Sequence, residues 1–250
     1  MANLHPPASP EALYQAAQQE VAGIVAAVSS GKPCELSALQ RMVAGTIASL
    51  ASEDGLLVLA LKEGETHLDL PRHLVNVAIL AIKIGQGIGY AEDDLQRLAL
   101  AACLHDVGMT SVPRRILEKP GVLAPEELAL IRQHPEQGFR MLQALGPEFE
   151  WVATVALHEQ ERQDGSGYPQ GLKGDQIHEY AKIVGLADLY ESLTHARPYQ
   201  SMRAAYDAPE IARQHSRDFP DRLLQAMVRA LSTSPATSPS RQAAGAEPTQ

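Results

Sequence analysis

Apolar residues recur every three or four positions along most of this chain, a spacing typical of amphipathic helices. The first helix is expected to begin at Ser9 and Pro10, where a capping side chain precedes proline, and to end near Gly31. A second helix is indicated by the apolar positions Leu39, Met42, Val43, Ile47 and Leu50. These two helices form the pair that we predict over residues 11–64.

The next two helices carry candidate chemistry. Pro71 is suited to the first turn of a third helix, which includes His73 and continues to the glycines at positions 85 to 89. A fourth helix is predicted from Glu92 to Val107, with the dipeptide His105-Asp106 at its C-terminal end.

The second half of the chain alternates short helices with a glycine-rich loop. Helices are predicted over residues 125–134, 135–145 and 148–160, followed by the polar loop "HEQERQDGSGYPQGLKGD" at 158–175. A long helix over 176–196 then carries Asp188, and a last pair covers 201–215 and 219–231. Segments 1–10 and 232–250 are expected to be disordered, since the tail has no apolar residue larger than alanine.

Composition supports an all-α fold. Hydrophobic residues make up 45% of the 250 positions but aromatic residues only 4%, which favours packed helices over a β-sandwich. The net charge of −9 argues against binding a nucleic acid polymer. Cys34 and Cys103 are expected to be reduced, which suits a cytoplasmic protein, and fully apolar runs such as Leu56–Leu61 are far too short to span a membrane.

The candidate chemistry centres on His105 and Asp106. An adjacent imidazole and carboxylate can both reach a divalent metal, although the same dipeptide is also compatible with an ordinary helix end whose dipole favours histidine. His73, His134 and Asp188 also lie in or beside apolar stretches of separate predicted helices, where an unpaired polar side chain is costly to bury. A shared metal would satisfy all of them.

Taken in order, these residues resemble the HD-GYP branch of the HD phosphohydrolase superfamily. The motifs are His73, His105-Asp106, His134, the run "DGSGYP" at 164–169, Asp188, and Arg197-Pro198-Tyr199. The segment "VPRRILEKPGVLAPEE" at 112–127 is similar as well, and the resemblance covers about residues 65–231. It implies an HD-domain-like helical bundle that binds one to three iron or manganese ions and hydrolyses cyclic di-GMP to the linear dinucleotide or GMP.

The resemblance also implies roles for individual residues. First-metal ligands would be His73, His105, Asp106 and Asp188, with Asp106 bridging to a second metal that His134 also binds, and His105 and Asp106 forming the catalytic pair. Arg197 would contact substrate phosphate, and Tyr168 would shape the substrate site. Asp69 is either a further ligand or the N-cap of the third helix.

The sequence departs from the family pattern at several positions. Glu159 and Gln160 stand where family members carry two histidines, and His158 lies one residue early, which turns a helical side chain by about 100°. Glu159 could bind a metal through its carboxylate, favouring manganese or magnesium, whereas the Gln160 amide is a poor ligand. Met109 replaces a usual lysine, and Gln200 replaces a common basic residue.

Three hypotheses follow. The first, which we favour, is an active metal-dependent phosphodiesterase of cyclic di-GMP. The second is a degenerate domain that binds cyclic di-GMP or a signalling protein without turnover, as the four departures suggest. The third is a phosphohydrolase of another nucleotide. The expected ligand is a cyclic dinucleotide, and signalling proteins or a second copy of the chain are candidate partners.

Overall fold

The computed structural model describes residues 9–62, 69–194 and 208–232. These ranges contain helices and turns but no strand, so the all-α prediction is confirmed. The α-helices are α1 (Pro10–Ser29), α2 (Ser37–Ser52), α3 (Gly55–Leu61), α4 (Leu70–Gly87), α5 (Glu92–Ala102), α6 (Arg114–Leu117), α7 (Pro125–Ile131), α8 (His134–Leu142), α9 (Glu150–His158), α10 (Glu179–Thr194), α11 (Ala208–Gln214) and α12 (Asp221–Ser232). Short 3-10 helices cover Val107–Ser111, Gln143–Leu145, Pro147–Phe149 and Gly174–Gln176.

Helix α4 lies at the centre of the fold. Its side chains are buried along almost its whole length, and it packs against α1, α3, α5, α10 and α12. One continuous apolar core extends from Tyr14 in α1 to Leu231 in α12. The N-terminal helices therefore share the core of the later ones, and the boundary predicted between residues 64 and 65 falls in the segment 63–68, outside the described residues.

Two helix starts follow the capping signals in the sequence. The Ser9 side chain accepts a hydrogen bond from the backbone N–H of Ala12 at 3.3 Å, and Pro10 occupies the first turn of α1. Residues 9 and 10 thus belong to the helix start, and not to the disordered segment predicted over 1–10. In the same way, the Asp69 side chain caps α4 by accepting from the backbone N–H of Arg72 at 3.3 Å.

Two predicted helix ends were wrong, and both corrections concern the candidate site. Helix α5 ends at Ala102 and not at residue 107, so His105 and Asp106 lie in a turn that leads into the 3-10 helix Val107–Ser111. His134 begins α8 instead of ending the helix before it. The reason is Pro135, which has no N–H for the carbonyl of Ile131 and is favoured in a first helical turn.

Several predictions concern residues that the structure does not describe. Arg197 and Gln200 lie in the segment 195–207, and most of the two predicted disordered termini lies in 1–8 and 233–250. In the described ranges no single helix is long and apolar enough to cross a membrane, while the bent pair α2 and α3 reaches the required length and composition only when taken together.

Candidate metal centre

Side chains from α4, α10 and the turn after α5 meet in the interior. The Nε2 atom of His73 lies 3.3 Å from Asp188 Oδ1 and 3.6 Å from Asp106 Oδ2. His105 is fully buried, and its ring centroid is 5.6 Å from that of His73. Ligand atoms of His73, His105 and Asp106 all lie within 4.8 Å of one another, which is close enough to surround one cation.

A second group shares Asp106 with the first. His134 Nε2 lies 3.1 Å from Asp106 Oδ1 and 3.0 Å from Glu159 Oε1. Ligand atoms of Asp106, His134 and Glu159 are also within 4.8 Å of one another, and all three residues are buried. Asp106 thus directs one carboxylate oxygen at each group, an arrangement that would let it bridge two cations.

Two glycines allow the backbones that carry these residues to approach. A Cβ atom at Gly108 would lie 2.0 Å from the carbonyl oxygen of His134, so only glycine lets α8 pack against the turn that carries Asp106. A Cβ atom at Gly185 in α10 would lie 2.3 Å from the carbonyl oxygen of Glu159. The short distances between Asp106, His134 and Glu159 therefore depend on glycine at positions 108 and 185.

Each imidazole is oriented through its Nδ1 atom. The ring of His105 donates to the carbonyl of Ala102 at 2.8 Å, and that of His134 donates to the carbonyl of Ile131 at 2.8 Å. His73 donates instead to the Glu191 carboxylate at 2.7 Å. In all three rings this leaves Nε2 as the nitrogen available to the site, as in histidines that bind metal through Nε2.

Unpaired buried atoms indicate that the groups fit a cation. Buried atoms without a hydrogen bond to any described residue include His73 Nε2, His105 Nε2, Asp106 Oδ1 and Glu159 Oε2. The contact between Asp106 Oδ1 and His134 Nε2 is short but is not aligned for a hydrogen bond. Leaving several polar atoms unpaired in one buried place is costly, and a divalent cation bound by nitrogen and oxygen would satisfy them together.

The carboxylates of the site favour positive charge at the neighbouring histidines, as they would favour a bound cation. Burial opposes protonation of His73, but the carboxylates of Glu191 and Asp188 outweigh it and raise the pKa of His73 to about 10. Burial likewise opposes protonation of His134, while Asp106 and Glu159 raise the pKa of His134 to about 9. Without a metal, both imidazoles would therefore carry protons that balance the surrounding carboxylates.

The departures from the family pattern have distinct structural consequences. Gln160 donates from its amide to Asp188 Oδ2 at 3.3 Å, so it contacts the site as a hydrogen-bond donor. His158 is directed away from the site, since its Nδ1 accepts from the backbone N–H of His178 at 3.3 Å. Met109 is buried in a small apolar cluster with Val112 and Ile116, and it brings no positive charge to the site.

Other predicted site residues are placed less centrally. Asp69 is exposed and caps α4, which supports the capping alternative over a role as ligand. Tyr168 lies beside the second group, with its ring edge-on to His134 at 6.3 Å between centroids. The guanidinium of Arg132 stands 5.4 Å from the centre of the Tyr168 ring. The predicted phosphate contact, Arg197, lies outside the described residues.

The polar loop after α9 is organised by a buried carboxylate that the sequence analysis did not single out. Glu161 is only 3% exposed, and it accepts hydrogen bonds from three consecutive backbone N–H groups, those of residues 170–172, at 2.7 to 3.1 Å. The backbone N–H of Tyr168 in turn donates to the carbonyl of Gln160 at 3.2 Å. Glu161 thereby folds the loop back so that Tyr168 lies next to His134.

Two further polar residues of the site were missed, although helical spacing could have indicated them. Asn76 lies three residues after His73, and Glu191 lies three residues after Asp188, so each shares a helix face with a predicted ligand. Both are buried, and the Asn76 amide donates to Glu191 at 3.1 Å.

Comparison with known proteins is in line with this geometry. The cyclic di-GMP phosphodiesterase of Thermotoga maritima is 38% identical over 148 residues, which are 59% of this chain and 39% of that protein. The cyclic di-GMP phosphodiesterase PA4108 of Pseudomonas aeruginosa is 35% identical over 163 residues, 65% of this chain and 39% of that one. The 3′3′-cGAMP-specific phosphodiesterase 2 of Vibrio cholerae is 32% identical over 158 residues, 62% of this chain and 30% of that one. This chain thus spans less than half the length of these curated relatives.

A solved structure has the same fold. Bd1817, described as a HDG"Y"P protein from Bdellovibrio bacteriovorus, superposes with a TM-score of 0.71 at 19% identity, covering 93% of this chain and 74% of the other. The sequence model of the family described as HD domain matches residues 37–223, which is most of the chain. The expected resemblance is confirmed, and this chain belongs to the HD domain family.

Proposed function

We propose that this chain is a metal-dependent phosphodiesterase that hydrolyses a cyclic dinucleotide, with cyclic di-GMP as the first candidate substrate. The observation that carries the proposal is the pair of buried ligand groups that share Asp106. Support for the substrate class comes from the relatives, which are named for cyclic di-GMP or 3′3′-cGAMP hydrolysis. Both compounds are cyclic dinucleotides with two phosphodiester bonds.

The residues divide between two proposed cation sites. His73, His105, Asp106 and Asp188 would hold one cation, and Asp106, His134 and Glu159 would hold a second. A bound divalent cation supplies a Lewis acid for a phosphoryl oxygen and lowers the pKa of a coordinated water. Glu159 makes the second site richer in oxygen than one built from two histidines, which favours manganese or magnesium there.

The remaining residues would position the substrate and the ligands. Tyr168 and Arg132 lie next to His134, so the ring can flank a nucleotide and the guanidinium can face a phosphate. The burial of the ligands excludes bulk water, which strengthens the interactions of charged groups within the site.

The test is a turnover assay on the purified full chain. Protein stripped of metal and reloaded with Mn²⁺ or Fe²⁺ is incubated with cyclic di-GMP and, separately, with 3′3′-cGAMP. We expect the linear dinucleotide or GMP from cyclic di-GMP, with no product from metal-free protein or from Asp106→Ala. Absence of turnover in metal-loaded protein would contradict the proposal, and hydrolysis of mononucleotides alone would favour a different phosphohydrolase.

A second candidate function is binding of a cyclic dinucleotide without turnover. It is favoured by the Gln160 amide, which donates to Asp188 at a place where family members carry a histidine. The double substitution Glu159→His and Gln160→His restores the family pair and separates the two candidates. Turnover only in the restored variant, combined with cyclic di-GMP binding by both proteins, would select the binding function.

A further inference from the structure

A chain of buried hydrogen bonds connects the candidate metal centre to the first helix. His73 donates from Nδ1 to Glu191 Oε2 at 2.7 Å, and the other oxygen of Glu191 accepts from the Asn76 amide at 3.1 Å. The Asn76 carbonyl oxygen then accepts from the hydroxyl of Tyr14 at 2.5 Å. Tyr14 lies in α1, far away in sequence from every predicted ligand, so the network joins α1, α4 and α10.

Each member of this network is fixed by burial and by its donor or acceptor role. Asn76 is fully buried, Glu191 is 4% exposed and Tyr14 is 9% exposed. Burial raises the pKa of the Tyr14 phenol, so the hydroxyl keeps the proton that it donates. Because the Asn76 amide uses its oxygen for Tyr14 and its nitrogen for Glu191, the network has one direction, from the Tyr14 hydroxyl to the Glu191 carboxylate.

The network distinguishes His73 from the other two imidazoles. His105 and His134 are oriented by backbone carbonyls of their own turns, which move together with the histidine. His73 is oriented by a carboxylate from another helix, and that carboxylate is held through Asn76 by a third helix. A carboxylate partner fixes the tautomer of a metal-binding histidine and makes its other nitrogen a stronger ligand.

We infer that Glu191, Asn76 and Tyr14 are positioning residues for His73, and that α1 thereby sets the cation affinity of the first ligand group. The inference rests on the proposed metal site and extends it to the N-terminal helix. A displacement of α1 would withdraw the Tyr14 hydroxyl from Asn76 and weaken the hold of the network on His73. A displacement of the N-terminal helix could thus control the cation affinity of the first ligand group from outside the site.

The test measures Mn²⁺ binding by the full-length, metal-stripped chain, independently of turnover. Glu191→Gln keeps the shape of the side chain and removes its charge, and we expect Mn²⁺ affinity to fall about 10- to 100-fold. Tyr14→Phe removes only the hydroxyl at the far end of the network, and we expect a loss of about threefold. Glu191→Asp keeps the charge and should recover part of the affinity.

A matched control is provided by Tyr180, whose hydroxyl donates to Asp94 at 2.7 Å and ties α10 to α5 outside the network. Tyr180→Phe removes one hydrogen bond between helices without touching the network, so Mn²⁺ affinity should stay that of the wild type. Wild-type affinity in Tyr14→Phe or in Glu191→Gln would overturn the inference, as would an equal loss of affinity in Tyr180→Phe. If wild-type protein binds neither Mn²⁺ nor Fe²⁺, the proposed function fails together with the inference.

Discussion

Gly108 is the position where the smallest substitution should have a large effect on the site. In Gly108→Ala the new methyl carbon would lie 2.0 Å from the carbonyl oxygen of His134 and 2.6 Å from the backbone nitrogen of Gly138. Contacts below 3.0 Å are essentially never seen for a Cβ atom, so the backbone of α8 must retreat by 1.0 Å, the difference between 3.0 and 2.0 Å. Neither neighbouring atom can escape by rotating, because both belong to the backbone.

The same displacement would reach the metal centre. His134 Nε2 is 3.1 Å from Asp106 Oδ1, and a separation greater by about 1 Å exceeds the roughly 0.5 Å within which a ligand set must be held. Overpacking of this kind costs about 1–3 kcal/mol, which corresponds to a melting temperature lower by about 2–12 °C in a chain of this size. We expect Gly108→Ala to fold, to melt earlier, and to bind one Mn²⁺ fewer than wild type.

The assays are thermal unfolding and metal analysis after equilibration with Mn²⁺. Gly45→Ala is the control, since Gly45 lies inside α2 and a Cβ atom there has nothing within 4 Å. That substitution should stabilise the protein by about 0.5–1 kcal/mol by favouring the helix, with unchanged metal content. A Gly108→Ala protein with the melting temperature and the Mn²⁺ content of the wild type would refute the packing argument.

Three further predictions concern the loop and the ligands. Glu161→Gln removes the charge that holds the backbone N–H groups of residues 170–172. Limited proteolysis should therefore cut this loop faster than in the wild type, and equal cleavage rates would contradict the prediction. Glu159→Gln should reduce bound Mn²⁺ from two ions per chain to one by metal analysis, and an unchanged content would exclude Glu159 as a ligand. The pKa values of His73 and His134 are about 10 and about 9, above the ordinary value of 6.5. Metal-stripped protein should therefore lose stability in chemical unfolding as the pH rises from about 6.5 to 10. Constant stability over that window would contradict the burial of charged imidazoles.

Helical periodicity was sufficient to predict the fold class and most helices, because amphipathic spacing reports directly on which face is buried. It could not predict that α5 ends before His105 and Asp106, since no proline or glycine between Glu92 and Val107 marks the end of the helix. It also could not predict that Tyr14, in the helical segment expected over residues 11–64, reaches Asn76 in the centre of the fold. Contacts of this kind leave no periodic signal.

The candidate site, too, could be predicted from the sequence only in part. The predicted ligands His73, His105, Asp106, His134 and Asp188 do lie close together, and the carboxylate of Glu159 joins them. Motif order alone could not show whether Glu159 or His158 faces the site, because the end of α9 decides the direction of both side chains. Glu161 was missed, since a buried carboxylate in a polar loop looks like a surface residue until its partners are known. Glu191 was missed although its spacing from Asp188 places both on one helix face.

We propose that Asp106 joins two cation sites in one buried centre. Electron paramagnetic resonance of protein loaded with Mn²⁺ tests it most directly, because a bridging carboxylate would hold two ions about 3.5–4 Å apart, where their spins couple. We predict two Mn²⁺ per chain with a coupled spectrum that Asp106→Ala abolishes. A spectrum of isolated ions that is the same in wild type and Asp106→Ala would contradict the shared centre.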